Sequence, residues 1–453
     1  MSTGRSGAGR GRPQRRGGLK AANRSGGARQ DRVVPRLVEL VIEGVGRFGD
    51  GVAMLDGKPV YVPYTAKGDL VLARVEGKRG DGLAGLLIEV LEPGPIRAEA
   101  PCRHFGACGG CSLQHLSPEA YGSWKRGLVA MALARQGFED VPLAPLVCIP
   151  PGTRRRASFA FARVGGGVML GFNARATHKV IDVEECLLVE PGLVALLPAL
   201  RGLLAEVVPA GHSGDVVLTE VNDGVDVVIE VEASLDLFDR EKLAAFAEAH
   251  DLTRLSWRRP GAGGAEPLAQ RRPATLMLGG TPVEIPPGAF LQPSAEGERV
   301  IAALVAAAVG NAPSVVDLFA GCGTLTFPLA RTAKVHAVEG EGAALSALKS
   351  AAEAARLPIT TEARDLARRP LLPDELKRFA AAVFDPPRAG APEQAAQLAQ
   401  GGPPLVVAVS CHPVSFAHDA RLLAEGGYEL QAVTPIDQFP WSAHVEMVGV
   451  FKR

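Results

Sequence analysis

The chain lacks any apolar run approaching the ~18 residues of a membrane helix, and no signal-peptide pattern stands at its N-terminus. Its longest apolar stretch, around Ile301 to Val309, is alanine-rich and follows Ser294, Glu296 and Glu298, which marks a capped helix of a soluble domain. No membrane partner is expected. Cysteine is scarce and odd in number, seven in 453 residues, with three crowded into one short stretch. That excludes a disulfide framework and indicates metal ligation in a reducing, cytoplasmic compartment. Net charge is also absent, with 49 basic and 49 acidic residues. The balance hides an asymmetry: residues 1–32 carry eight Arg and Lys20 against Asp31 alone. This Gly- and Ser-rich tail, residues 1–34, cannot bury enough surface to fold and is expected to be disordered. It is either an arm that attracts nucleic acid or a solubilising extension; its glycines and its lack of amphipathic period argue against an organellar presequence.

What is present organises around Val315 to Thr326, VVDLFAGCGTLT. An apolar run ends in Gly321-Cys322-Gly323 before a helix-compatible segment, the pattern of a buried parallel strand, a tight turn and a helix. Glycine permits close approach of a cofactor to the backbone. A second apolar run, Val335 to Val338, ends in Glu339, an acidic tip suited to ribose hydroxyls. The turn has neither the third glycine of a pyrophosphate fingerprint nor the Lys-Ser/Thr of a P-loop. These gaps point away from a dinucleotide and toward S-adenosylmethionine.

At 453 residues the chain has room for two to four domains. Residues 35–95 read as all β, with strands at 38–42, 51–55, 59–62, 70–75 and 83–91 and a hairpin signal at Asp56-Gly57. Five short strands suggest a Greek-key barrel of the OB type, with Arg47, Lys67, Arg74, Lys78 and Arg79 available to phosphates. Cys102, Cys108 and Cys111 follow, spaced C-x5-C-x2-C. A second knuckle for zinc is missing, and three clustered thiols with a distant fourth suit an iron–sulfur cluster. Cys148 and Cys186 are both candidates for the fourth ligand. Residues 96–285 are read as this loop and a central α+β domain. Within it, Arg154, Arg156 and Ser158 share one face of a strand, and Arg155, Phe159 and Phe161 the other. Such a strand either holds RNA phosphates and stacks a displaced base, or is an ordinary strand with a basic start. Residues 259–272 read as a surface linker.

From residue 286 to 453 strands and helices alternate as in a doubly wound, Rossmann-like sheet. Phe319, Glu339, Asp365, Asp385 and Cys411 all fall at strand ends on one rim, where open α/β sheets bind ligands. Asp385 stands on a loop stiffened by Pro386-Pro387. Cys411, beside His412, reads as a low-pKa nucleophile or a small buried hydrophobe. Glu446 is an acid inside an apolar strand, costly unless used or paired. A thiol, a base and a methyl donor together suit methylation of carbon 5 of uracil: the thiol adds to carbon 6, carbon 5 takes the methyl, and a base removes its proton.

The motifs CRHFGACGGC, FLQPS, DLFAGCGTLTFPLA, FDPPRAG, VSCHP and FPWSAHVEMV resemble those of the RNA uracil-5-methyltransferase family, in the branch with an N-terminal TRAM barrel and an iron–sulfur cluster. The resemblance spans nearly everything after residue 35. It implies a [4Fe–4S] cluster on Cys102, Cys108, Cys111 and Cys186. It implies S-adenosylmethionine contacts from Gln292, Phe319, Thr324, Glu339, Asp365 and Asp385, with Cys411 as nucleophile and Glu446 as general base. RNA is the implied partner, ribosomal RNA before tRNA, and the protein is expected to be a cytoplasmic monomer. The chain departs from the family pattern at His412, at Trp441-Ser442 and at Pro293-Ser294, which bear on base recognition. The rival classes are a cytosine-5 or amino-group methyltransferase and a non-catalytic RNA-binding or assembly factor.

Overall fold

A computed structural model describes residues 34–453; the basic tail up to residue 33 lies outside the described residues. The N-terminal sheet comprises β1 (Arg36–Val41), β2 (Gly44–Val45), β3 (Gly51–Leu55), β4 (Lys58–Val62), β5 (Leu70–Arg79) and β6 (Gly82–Glu92), in the order β1-β5-β6-β4-β3-β2. Asp56 and Gly57 both take positive φ, 51° and 74°, as a two-residue hairpin turn requires. Alternate residues, among them Val60, Val62, Val71, Ala73 and Val75, make its core. The sequence pattern misses the two-residue β2 and ends β5 early, because bulges between β5 and β6 interrupt the period of two.

Next come α1 (Pro118–Ala134) and β7 (Val147–Cys148), then the central sheet. Its elements are β8 (Arg156–Val164), β9 (Gly167–Asn173), β10 (Val180–Asp182), α2 (Pro191–Ala195), α3 (Leu197–Val207), β11 (Ser213–Val221), β12 (Gly224–Val231), α4 (Leu237–Ala249), β13 (Arg254–Arg258) and β14 (Glu266–Gln270), ordered β10-β9-β8-β11-β12-β13-β14. Leu200 and Leu204 of α3 and Leu243 of α4 bury against Phe159, Phe161, Val216 and Ile229 of the strands. The phenyl rings of Phe159 and Phe161 are therefore core, which corrects the expectation that they stack a displaced base. The expected linker at 259–272 contains β14, a short edge strand disguised by Pro267 and by a register shift against β13.

A hairpin of β15 (Thr275–Leu278) and β16 (Thr281–Glu284) leads into the C-terminal layer. That layer runs α5 (Ala295–Val309), β17 (Ser314–Leu318), α6 (Thr326–Leu329), β18 (Lys334–Glu339), α7 (Gly342–Ala354), β19 (Ile359–Ala363), α8 (Pro373–Leu376), β20 (Ala381–Phe384), α9 (Pro392–Gly401), β21 (Leu405–Ser410), α10 (Pro413–Glu425), β22 (Glu429–Asp437) and β23 (Glu446–Lys452). The sheet order is β19-β18-β17-β20-β21-β23-β22-β7. Five strands run parallel, so their carboxyl ends meet on one rim, and β23 returns antiparallel to β21. Two earlier segments cross the boundary drawn at 286. Val129, Ala132 and Leu133 of α1 join the core beneath α10, and β7 adds an edge strand to β22. Leu276, Leu278 and Val283 of the hairpin pack on Phe327 and Leu348. No helix among the described residues is long and apolar enough to cross a membrane.

Candidate active site

The glycine turn closes β17. Phe319 takes φ 63°, Gly321 φ 55° and Gly323 φ 101°. A Cβ on Gly323 would stand 2.4 Å from the Phe327 ring, so this glycine is required by packing as well as by φ. Glu339, at the tip of β18, accepts from the Gly321 N–H at 2.9 Å and from the Glu341 N–H at 2.6 Å, stitching strand tip to turn. Asp365, beyond β19, is half exposed and accepts from the Ala367 N–H at 3.1 Å. Behind the turn, burial pushes the Asp317 carboxyl up to about 7, and Thr326 donates to it at 2.5 Å. Thr324, in the same turn, also lines a cavity of about 600 Å³ bordered by Arg155 and Glu298. Cys322 is 3% exposed and packs in the apolar layer, a small spacer rather than a ligand.

Further along the rim two carboxyls are buried together. Burial pushes Asp385 up to about 7. Burial, then the nearby Asp385, pushes Glu446 up to about 8. Both are shielded by amides: the Gln292 Nε2 donates to Asp385 at 3.2 Å, and the Gln438 Nε2 donates to Glu446 at 2.8 Å. Cys411 lies beside this pair. Burial first, then Glu446 and Asp385, raise its thiol to about 11. The low-pKa thiol expected from its neighbour His412 is thus corrected. The His412 ring points away, its Nδ1 accepting from the Ser415 N–H as the cap of α10 and lying 2.9 Å from the Ser415 hydroxyl.

Gln438 and the segment up to His444, which delivers Glu446, are held by a cation that the sequence reading missed. Lys125 of α1 is 0% exposed and pairs with Asp437 at the end of β22. Its ammonium also donates to the carbonyls of Phe439 at 2.9 Å and His444 at 2.5 Å. Tyr121, one turn earlier, donates to Asp437 at 2.7 Å and accepts from the Trp441 N–H at 2.8 Å. Burial lowers the Lys125 pKa while Asp437 raises it, and every donor of the ammonium is used. The available signal was a lysine on the apolar stripe Tyr121, Lys125, Leu128, Val129. Trp441 takes φ 56°, and its carbonyl accepts from the Ser112 N–H at 2.8 Å and the Leu113 N–H at 3.1 Å. The cysteine loop is therefore tied by backbone to the segment that delivers Glu446.

That tie borders a cavity of about 510 Å³. Cys102, Cys108, Cys111 and Cys186 line it, together with Cys411 and Arg388. Arg154, Arg156 and Ser158, the expected shared face, line it too. Arg155 points the other way and binds Glu298 at 2.5 Å. Cys148 is exposed at the sheet edge and stands apart. Burial, then neighbouring thiols, pushes Cys111 up to about 12, and burial raises Cys108 and Cys186. Among the described residues no set of three or more His, Cys, Asp or Glu side chains is arranged to hold a metal ion. The cavity wall carries those four thiols and Cys411, with His104, Glu185 and His444 also on it. Gly109 lets the loop close on β9: its N–H donates to the Asn173 carbonyl at 3.0 Å, and a Cβ would stand 2.6 Å from that oxygen.

No family model matches the chain. A protein of Brucella suis named an uncharacterised RNA methyltransferase is 42% identical over 417 residues, covering 92% of this chain and 98% of that protein. The 23S rRNA (uracil(1939)-C(5))-methyltransferase of Halomonas elongata is 34% identical over 435 residues, covering 90% and 88%. Among solved structures, the Pyrococcus abyssi tRNA (uracil-54, C5)-methyltransferase in complex with S-adenosyl-L-homocysteine superposes with a TM-score of 0.74 at 23% identity, covering 91% of this chain and 99% of that one. That likeness extends the shared fold across the N-terminal, central and C-terminal layers. Identity above 40% over nine-tenths of both chains leaves one conclusion: the protein belongs to the RNA methyltransferase family.

Proposed function

We propose that the protein methylates carbon 5 of a uridine in RNA, with ribosomal RNA the substrate class. The observation that carries this reading is the convergence of Cys411, Glu446 and Asp385 on the rim that also bears the glycine turn and Glu339. The Halomonas relative, named for 23S rRNA, is closer in sequence than the Pyrococcus neighbour, named for tRNA, and this favours ribosomal RNA.

The proposed S-adenosylmethionine site comprises Gln292, Phe319, Thr324, Glu339, Asp365 and Asp385. Glu339 and the glycine turn, already joined, suit a ribose and the close approach of a nucleoside. When bound, the cofactor supplies an electrophilic methyl carbon on a sulfonium. A cation against Asp385 favours the ionised carboxylate and lowers the barrier to forming the Cys411 thiolate, whose pKa the two acids otherwise raise. The thiolate adds to carbon 6 of uracil, and the electrons so released onto carbon 5 and the carbonyl would form the bond to the methyl carbon as its bond to the sulfonium sulfur breaks and a neutral thioether leaves. Glu446 then takes the carbon 5 proton; its electron pair restores the 5,6 double bond and expels the Cys411 thiolate. Once ionised, a carboxyl raised to about 8 is a stronger base than an ordinary glutamate, which suits this last step. The target base must leave its helix to reach the thiol. Arg154, Arg156 and Arg388, on the cavity shared with Cys411, are placed for phosphates or for the base.

In the same reading Cys102, Cys108, Cys111 and Cys186 would hold a [4Fe–4S] cluster, for which four thiols on one cavity wall are a suitable donor set. The methyl transfer contains no redox step, so the cluster's role is structural, fixing the loop that grips Trp441. The N-terminal sheet, residues 35–95, serves as a TRAM-type OB barrel presented to RNA, and residues 286–453 as the methyltransferase domain. The test is a comparison of ribosomal RNA from cells with and without the protein. Loss of a 5-methyluridine, restored by wild type and not by Cys411→Ala, is expected; an unchanged 5-methyluridine map would overturn the reading.

A further inference from the structure

Two amides lie between the buried acids: Gln292, placed above in the proposed cofactor site, and Gln438, to which neither the motifs nor the reaction gives a role. The Gln438 side chain is 3% exposed and sits between two acceptors: its Nε2 donates to Glu446 Oε2 at 2.8 Å and to Gln292 Oε1 at 2.8 Å. Gln292 in turn donates through its own Nε2 to Asp385 at 3.2 Å. The direction of both amides is set by their partners. Reversing either would turn an oxygen onto a carboxylate or onto another carbonyl, so each acid receives one N–H. Both Gln438 hydrogens are committed, while its Oε1 is buried with no partner. An unsatisfied buried oxygen costs free energy, and its retention indicates that the orientation is wanted for the other end of the amide. The fold also clears space for it. Gly297, in the first turn of α5, lacks the Cβ that would stand 2.7 Å from the Gln438 Oε1 and 3.2 Å from its Cβ. Glycine inside a helix is otherwise unfavourable.

We propose that Gln438 is the positioning residue for Glu446, fixing the carboxylate that removes the carbon 5 proton and linking it through Gln292 to Asp385. The inference rests on the proposed uracil chemistry and deepens it. A carboxylate held by one oxygen at a fixed amide leaves its second oxygen free to meet a proton at a fixed place, which a freely rotating acid would not do. The groups around Glu446 define what Gln438 must oppose. The tip of β20 brings Asp385, and the tip of β21 brings Cys411 with Arg388 nearby. Asp437, the chain neighbour of Gln438, is already paired with Lys125, and Glu298, the chain neighbour of Gly297, with Arg155. Gln438 is the donor recorded on Glu446 in this ring, and its hydrogen bond draws the Glu446 pKa down against burial and Asp385.

The test uses full-length protein with its cofactor, ordinary uridine RNA and 5-fluorouridine RNA. With ordinary RNA, Gln438→Met should slow proton removal by up to about 100-fold and so let the methylated Cys411–RNA adduct accumulate on denaturing gels. The acidic limb of its pH–rate profile should move to higher pH. Gly297→Ala, which leaves Gln438 in place but crowds it, should reproduce both effects in milder form, and Gln438→Asn should recover neither. With 5-fluorouridine RNA, which carries no carbon 5 proton, all three variants should form the adduct at the wild-type rate. Equal rate loss on both RNAs, or an unmoved pH limb without adduct accumulation, would reduce Gln438 to a packing residue and overturn the inference. Failure of the wild type to form any adduct with 5-fluorouridine RNA would instead remove the uracil chemistry itself, and the inference with it.

Discussion

Two buried ionic clusters stand at the two ends of one short segment, and they are built in opposite ways. At Asp437, an acid meets the fully buried Lys125, and the carbonyls of Phe439 and His444 and the Tyr121 hydroxyl complete the shell. At Glu446, an acid meets another acid, Asp385, and the compensation recorded is one amide donor each from Gln438 and Gln292. The first cluster satisfies its charges and pins the chain. The second buries two acids without a cation, so burial, and for Glu446 also the nearby Asp385, makes its carboxyls hold their protons to about 7 and about 8. The Lys125 side pins the backbone, the Glu446 side carries the proposed chemistry, and the segment from Asp437 to Glu446 joins them.

Breaking the reactive side should have the largest effect. Cys411→Ala removes the proposed nucleophile and should abolish methyl transfer, a loss of several orders of magnitude, while S-adenosylmethionine affinity by calorimetry stays near wild type. Breaking the rigid side comes next. Lys125→Met strands the buried Asp437 and should destabilise the protein by about 3–5 kcal/mol in urea unfolding. Lys125→Met combined with Asp437→Leu should recover part of that, because no uncompensated charge is left.

A third substitution separates stability from function on the reactive side. Glu446 and Asp385 have folded pKa values above the ordinary carboxylate range, so the folded state holds protons that the unfolded chain releases. Their contribution to stability is therefore full below about pH 4 and is lost as pH rises to about 8. Glu446→Gln removes one acid of the pair. It should raise the melting temperature at pH 8 by a few degrees, change it little at pH 4, and still fail to turn over. At the far end of the scale, Arg240→Ala breaks an exposed ion pair with Glu266 and should leave both melting temperature and activity unchanged.

The same contrast explains what was legible in the sequence. Glu339, Asp365, Asp385 and Cys411 each end a parallel strand, so one strand-turn rule placed all of them on a common rim. The three clustered cysteines were equally plain, but Cys186 needed the family motif, since spacing alone left Cys148 open. Lys125 and Asp437 were invisible as a pair because they lie 312 positions apart and meet only once α1 has docked under α10. Gln438 was passed over because an amide beside a recognisable motif carries no pattern of its own. The low-pKa reading of Cys411 failed for a related reason: sequence neighbours do not report which way His412 points, nor that two acids from other strands close in on the thiol. The β-strands were found where period two is regular and blurred where bulges or an edge proline interrupt it, as in β5 and β14.

The central claim is that Cys411 attacks carbon 6 of a uracil before the methyl arrives. Its most direct test is incubation of the wild-type protein with S-adenosylmethionine carrying a labelled methyl group and 5-fluorouridine-substituted ribosomal RNA, followed by denaturing electrophoresis and mass mapping. The account predicts a denaturation-stable protein–RNA adduct that carries the label, maps to Cys411 and disappears in Cys411→Ala. Methylation of ordinary RNA without any trapped adduct on the fluorinated RNA would contradict it.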